Sequence, residues 1–287
     1  MKIAIIVNFD KKGALLTASK ISELLLNENA EVYTLESEIL NNLHSTKTFD
    51  THSELVKNCD VLLTIGGDGT IIHCAKHAAQ FSKPILGINL GRLGYVAELE
   101  ANETDMLKAL IRGEYTLESR LMLDVKVNRE NGNTESYVAV NDAVISRGSL
   151  SRIIDLDVSI DGSPVSSYRA DGILLSTPTG STAYALSAGG PVIAPNLKCF
   201  ELVPICSHSL SARCVILSSQ STVQVKAESP DGKSYLTIDG QISVELSEND
   251  TVEVKCSEKT LDMIVLKKRN FFKLASEKLR EVNVNET

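Results

Sequence analysis

Apolar residues arrive in two rhythms along this chain. In the first 118 residues, continuous apolar runs alternate with stretches at helical spacing. "KIAIIVN" near the start and "DVLLTI" ending at Ile65 predict strands buried on both faces. Between them, Leu16, Ile21, Leu24 and Leu25 of "KGALLTASKISELLLNENA" recur at the period of a helix, and "EVYTL" predicts a second strand. The polar stretch from Asn41 to His52 predicts a loop. A helix is expected over Ile71–Ala79, and "KPILGINLGRLGYVAEL" predicts another buried strand with a glycine-punctuated loop after it. Strand and helix in turn predict an α/β domain whose parallel sheet is covered on both faces.

Near Ser119 the rhythm shortens. "RLMLDVKVNRENGNTESYVAVNDAVIS" predicts two strands around Asn131–Gly132, a strong hairpin signal. "IIDLDVSIDGSPVSSYRADGILLST" does the same around an Asp-Gly pair. "STVQVKAESPDGKSYLTIDGQISVELSENDTVEVKCS" adds short strands, with Asp231–Gly232 as one of the turns. The expectation is a β-rich, sandwich-like domain over 119–267 following an α/β domain over 1–118. The chain ends in "NFFKLASEKLREV", an amphipathic helix expected within 268–287. A lone terminal helix needs a surface to pack on, so it is expected to dock back on the first domain.

Composition narrows the function. No apolar run among the 287 residues reaches membrane-spanning length. The apolar start lacks a small-residue cleavage site and predicts a first strand, not a signal peptide; a cytoplasmic protein is expected. A net charge of −8 argues against a nucleic-acid coat or a basic membrane-surface protein. It leaves a phosphorylated small molecule open, because local arginines can override the global sign. Cys59, Cys74, Cys199, Cys206, Cys214 and Cys256 form no C-x-x-C pair and are read as reduced, mostly buried thiols.

The chemistry concentrates in "VLLTIGGDGTIIHCAKHAA". Gly66, Gly67 and Gly69 sit between a strand and a helix, where backbone N–H groups favour an anion. The stretch is neither a P-loop nor the usual dinucleotide fingerprint. Asp68 stands in the middle, and a carboxylate repels phosphate oxygens. The plain alternative is a tight turn with Asp68 as helix cap. The contradiction lifts if the phosphate is being transferred. A carboxylate there can orient an acceptor hydroxyl and take its proton late. A weak base suffices, because phosphoryl transfer needs little nucleophile activation. Magnesium on the phosphates would offset the repulsion. Thr70 can cap the helix or supply a hydroxyl donor. His73 and His77 are four apart, but the glutamate of H-E-x-x-H is missing, so a zinc site is set aside.

The G-G-D-G-T turn resembles that of NAD kinases, of diacylglycerol and sphingosine kinases and, more loosely, of phosphofructokinases. "YRADGILLSTPTGSTAYALSAGGPVI", Tyr168 to Ile193, resembles the signature of NAD kinases, which phosphorylate the adenosine 2′-hydroxyl of NAD. "VNDAVISRG" is similar to that family's Asn-Glu segment and "TIDGQ" to its later Asp-Gly-Gln element. The resemblance covers nearly the whole chain. It implies an N-terminal α/β domain, a C-terminal β-rich domain and NAD in the cleft between them. It also implies ATP or polyphosphate as donor, a divalent metal such as Mg2+, and a homodimer or homotetramer. Residue by residue, Asp68 would accept the proton and Gly69 would offer a backbone contact. Asn141 and Asp142 would meet the adenine edge and a ribose, an Asn amide being suited to adenine. Asp171 would lie in the dinucleotide pocket; Thr182, Ala183, Tyr184, Ala185, Leu186 and Ser187 would line it; Gln241 would close its far side. Arg152 and Arg169 would meet phosphates. Two departures stand out: Asp142 where the family more often has Glu, and His73 where relatives often have Arg to meet the donor phosphate. No role is assigned to His208. A lipid kinase with the same cradle and a non-catalytic NAD(P)-binding sensor are the competing readings.

Overall fold

The apolar runs of the first third take the centre of a parallel sheet in the computed structural model, which describes residues 1–39, 43–91, 94–148, 152–209, 211–229 and 233–284. The expected Asp231–Gly232 turn lies outside these residues. The chain divides into two units, Met1–Ser119 with Leu261–Thr287, and Arg120–Thr260.

The first unit runs β1 (Lys2–Val7), α1 (Ala14–Asn27), β2 (Glu31–Leu35), α2 (Glu36–Ile39), β3 (Lys47–Phe49), α3 (His52–Asn58), β4 (Val61–Gly66), α4 (Asp68–Gln80), β5 (Ile85–Asn89), β6 (Leu99–Glu100) and α5 (Leu107–Ile111). Its strands are parallel in the order β3-β2-β1-β4-β5. All six residues of β4 and all five of β5 are buried, as their unbroken apolar runs require. Ala14, Ala18, Ile21 and Leu25 turn one side of α1 onto the sheet. The Asn41–His52 stretch departs from expectation. It holds β3, paired to β2, and Thr51 caps α3 by accepting the Glu54 N–H. These elements are polar because β3 is a three-residue edge strand and α3 buries only Leu55 and Val56.

The second unit continues with β7 (Thr116–Asn128), β8 (Thr134–Ala139), β9 (Asp142–Arg147), β10 (Ile154–Ile160), β11 (Ser163–Ala170), β12 (Gly172–Ser176), α6 (Tyr184–Ser187), β13 (Cys199–Ile205), β14 (Val215–Ser218), β15 (Thr222–Glu228), β16 (Ser234–Ile238), β17 (Ile242–Leu246) and β18 (Thr251–Val265). Two antiparallel layers form. One carries β11-β10-β15-β18 with β7 and β8, the other β14-β13-β12-β9-β16-β17. Leu123, Val125, Ile145, Leu175, Phe200, Leu236 and Val254 fill one apolar core drawn from both layers. The two expected hairpins form as β7–β8 and β10–β11, with Asp161 and Gly162 at positive φ in the second turn. The strand after each hairpin leaves for the other layer: β9 and β12 pair with one another. β18 gives its last residues to the first unit, where Met263 pairs with Ile85 of β5. The terminal helix α7 spans Phe271–Val284.

Candidate functional site

In the first unit the functional geometry starts with the glycines. A Cβ on Gly66 would lie 2.3 Å from the Thr70 Oγ1, so only glycine lets the turn close there. Gly67 is the residue before α4, and Asp68 is the first residue of that helix rather than its cap. The Asp68 carboxylate turns to the 94–97 loop. Oδ2 accepts the Tyr95 N–H at 2.7 Å; Oδ1 accepts the Val96 and Ala97 N–H groups, each at 3.2 Å. Three backbone donors and the positive end of a helix hold the negative charge in one orientation. Gly94 comes so near that a Cβ there would lie 2.1 Å from Oδ1. Gly69 is exposed and has open space where a Cβ would stand, so its backbone is free to meet a ligand. The Thr70 hydroxyl accepts from the Asn8 amide at 3.3 Å.

His73 is exposed on α4, and its ring lies edge-on to His52 of α3 with centroids 6.4 Å apart. His52 also stacks on His77 at 5.8 Å. Burial, then neighbouring positive charge, lowers the affinity of His52 and His77 for protons. Among the described residues, no group of three His, Cys, Asp or Glu side chains is arranged to hold a metal.

In the second unit a pocket of about 410 Å³ opens at the start of β9, bounded also by Ala183, Tyr184 and the Thr237–Gly240 turn. Asp239 organises it. Held at φ +50°, its carboxylate accepts the N–H groups of Val140 at 3.0 Å, Asn141 at 2.7 Å and Asp142 at 3.1 Å. The Asn141 carbonyl accepts from the Thr177 N–H at 2.9 Å and from the Ser176 hydroxyl at 3.2 Å. A Cβ on Gly180 would lie 2.3 Å from the same carbonyl oxygen, leaving no room for a side chain. With its backbone fixed, Asn141 brings a buried Oδ1 that has no partner among the described residues. Asp142 is buried, and its carboxyl is pushed up to about 7 by loss of water and then by the negative charge of Asp239.

Of the residues singled out in the sequence, Asn141, Asp142, Ala183 and Tyr184 meet around this pocket. Thr182 and the three residues after Tyr184 do not line it. Thr182 donates its hydroxyl to the Thr179 carbonyl, Ala185 is fully buried beside Val144 and Val203, Leu186 is partly buried, and Ser187 is exposed. Asp171 pairs with Arg147 at 2.7 Å. Gln241 follows the Thr237–Gly240 turn, exposed. Arg152 is exposed, and Arg169 sits exposed on β11 opposite Asp155, both outside the pocket lining. Sequence reasoning missed Asp239, Arg147 and Gly94. The "TIDGQ" motif carried the signal for Asp239, and Arg147 had no local signal.

Residues 3–115 match the family model of the ATP-NAD kinase N-terminal domain, and residues 140–266 match that of the ATP-NAD kinase C-terminal domain. The chain is 36% identical over 279 residues to the NAD kinase of Natranaerobius thermophilus, spanning 96% of this chain and 97% of that one. It is 34% identical over 281 residues to the NAD kinase of Caldanaerobacter subterraneus, spanning 98% and 99%. Among solved structures it resembles an Archaeoglobus fulgidus NAD kinase in complex with ATP, with a TM-score of 0.77 and 26% identity over 98% of this chain and 99% of that one. The fold also matches yeast NADH kinase complexed with NADH, with a TM-score of 0.86 and 24% identity over 99% and 88%.

Proposed function

Because this chain belongs to the NAD kinase family, we propose a division of labour in which its two units make NADP from NAD. Phosphorylation of NAD is the activity of the relatives it matches over nearly its full length, and it is the activity of this chain.

The pocket of the second unit takes the adenosine of NAD. The unpartnered Asn141 Oδ1 is an acceptor for the exocyclic amine of adenine, and Tyr184, 46% exposed, offers a ring to stack on it. Asp142 meets the ribose as a hydrogen-bond donor or acceptor, since its carboxyl holds a proton up to about pH 7. Asp171, oriented by Arg147, serves the same pocket.

In the first unit Asp68 orients the 2′-hydroxyl and takes its proton as the oxygen attacks the γ-phosphorus of ATP. The loop donors keep the carboxylate from swinging toward the donor phosphates. The Gly67–Thr70 backbone at the start of α4 cradles the transferring phosphate. The donor phosphates would carry a divalent ion such as Mg2+, which would supply charge neutralisation when bound. Polyphosphate as donor, a homodimer or homotetramer, and a cytoplasmic location belong to the same reading. Among the described residues no helix is long and apolar enough to cross a membrane.

One observation carries the assignment: a carboxylate at a glycine-framed helix start, tied down by three backbone N–H groups. The test is Asp68→Asn, assayed for NADP formation with NAD and ATP. We expect kcat to fall about 10²- to 10⁴-fold with the KM for NAD nearly unchanged. A near wild-type kcat in this variant would remove Asp68 from the reaction.

A further inference from the structure

Apart from Asp250, which pairs with Arg129, the described residues of the second unit bury one carboxyl group that the proposed chemistry does not use. Glu201 lies in the middle of β13 with no exposed surface, and neither carboxyl oxygen has a partner among the described residues. Its place in the sheet is specific. Glu201 stands directly opposite Ser176 of β12, so the two side chains share a face. The Ser176 hydroxyl holds the Asn141 carbonyl. That face, at Val203 and Ile205, packs against Ala185 and Ala188 of the segment that begins with Tyr184. A Cβ on Gly190 would lie 2.9 Å from the Glu201 Oε2. The carboxyl group therefore sits beneath the 184–190 segment and beside the serine that fixes Asn141.

The electrostatics around it are one-sided. On its own strand it faces Cys199, and ahead of β14 it faces Cys214, whose thiol bonds the Gly189 carbonyl. The sheet neighbours directly alongside are Ser176 and Ile216, and the overlying turn brings Gly190, all uncharged. Among the described residues, no cation pairs with it. Burial raises its carboxyl to about 7 and both thiols above their usual range, with Glu201 adding to the rise at Cys199 and Cys214. A buried carboxylate without a cation or a donor costs several kcal/mol, so the resting form is the neutral acid.

We propose that Glu201 is a positioning residue of the NAD site whose neutral acid supports the Tyr184–Gly190 segment, and whose ionisation loosens that segment and weakens NAD binding. This rests on the assignment of NAD to the pocket bounded by Asn141 and Tyr184. Ionisation draws the carboxylate toward water, and the route out lies through the 184–190 turn. Proton loss at Glu201 thus acts on the KM for NAD and leaves the Asp68 chemistry untouched.

The experiment compares full-length wild type with Glu201→Gln, a neutral group of the same shape, in NAD- and ATP-saturation kinetics from pH 6 to 8.5. In wild type the KM for NAD is expected to rise at least about threefold over this range, steepening toward tenfold per pH unit where the acid alone binds. In Glu201→Gln the rise shrinks to the share that Asp142 contributes from within the pocket, while kcat follows the wild-type pH course. Glu201→Met, of similar volume and without a polar group, should also flatten the KM profile, which keeps the test open if the amide misfolds. Thermal melting adds a readout independent of turnover. The folded acid is held above its unfolded value, so wild-type stability falls as pH rises from about 4.5 to about 7, and the slope in this window is shallower in the variants, which keep only the share of Asp142. Parallel KM profiles in all three proteins would overturn the proposal. Wild type that fails to phosphorylate NAD at any pH would overturn the pocket assignment beneath it, and the proposal with it.

Discussion

Replacing Gly94 with alanine adds one methyl group, and the structure makes it a severe change. The new Cβ would lie 2.1 Å from the Asp68 Oδ1 and 2.3 Å from both Cγ and Oδ2, all below the 3.0 Å that real Cβ contacts respect. Roughly 1 Å of movement is therefore needed. The far end of a flexible side chain could give way cheaply, but this carboxylate is tied to three N–H groups of the loop that carries Gly94. Displacing it lengthens charge-assisted hydrogen bonds worth about 1.5–3 kcal/mol each. Moving the loop instead costs about 1–3 kcal/mol of overpacking strain. Either way Asp68 leaves its position, and a 1 Å error at a reacting group costs about 10²-fold in rate. We expect Gly94→Ala to lower kcat about 10²-fold or more, to lower Tm by several degrees, and to leave the KM for NAD within a few-fold. Steady-state kinetics and a thermal melt suffice. Wild-type kcat at an unchanged Tm would show that the loop does not set the carboxylate's place.

The remaining predictions concern the second unit. Asp239→Ala strips three N–H groups of their acceptor and puts alanine at φ +50°, so unfolding by denaturant should show a loss of about 2–3 kcal/mol, and the KM for NAD should rise. Asp142 holds its proton more tightly folded than unfolded, so its contribution is intact below about pH 4 and is lost as pH rises to about 7. Asp142→Asn should remove this slope from a melt series, an effect on the order of a few kcal/mol; parallel slopes would refute it. Arg147→Ala should raise the KM for NAD about three- to tenfold by freeing Asp171, with little change in Tm, because a pair one-third exposed contributes under about 1 kcal/mol to folding.

How much the sequence revealed depended on how local each signal was. The unbroken apolar runs of β4 and β5 announced a sheet covered on both faces, and Asn131–Gly132 announced a turn. Periodicity shows which face of a strand is buried but not which strand lies beside it. For that reason β9 and β12, read as parts of hairpins, could not be seen to leave for the opposite layer. Their burial, five of five residues in β12 and the first four in β9, is the mark of central strands and was visible only as a lack of polar alternation. β3 and α3 hid because they bury too few residues to leave a periodic trace. At the site, Asp68 was conspicuous because a carboxylate contradicts its glycine setting. Asp239 and Arg147 were not, because they act on Asn141 and Asp171, 98 and 24 positions away. Gly94 was one glycine among several in a loop until its distance from Asp68 gave it a purpose.

The tether on Asp68 has a corollary for how substitutions sort along the 95–97 loop. Its donors belong to the main chain, so replacing the side chains of Tyr95, Val96 or Ala97 leaves each N–H in place, and the aspartate keeps its bearing. Proline is the exception, since it alone erases a donor. The aim of the reactive oxygen is thus written in the path of the polypeptide, which a change of side chain at these three positions leaves in place.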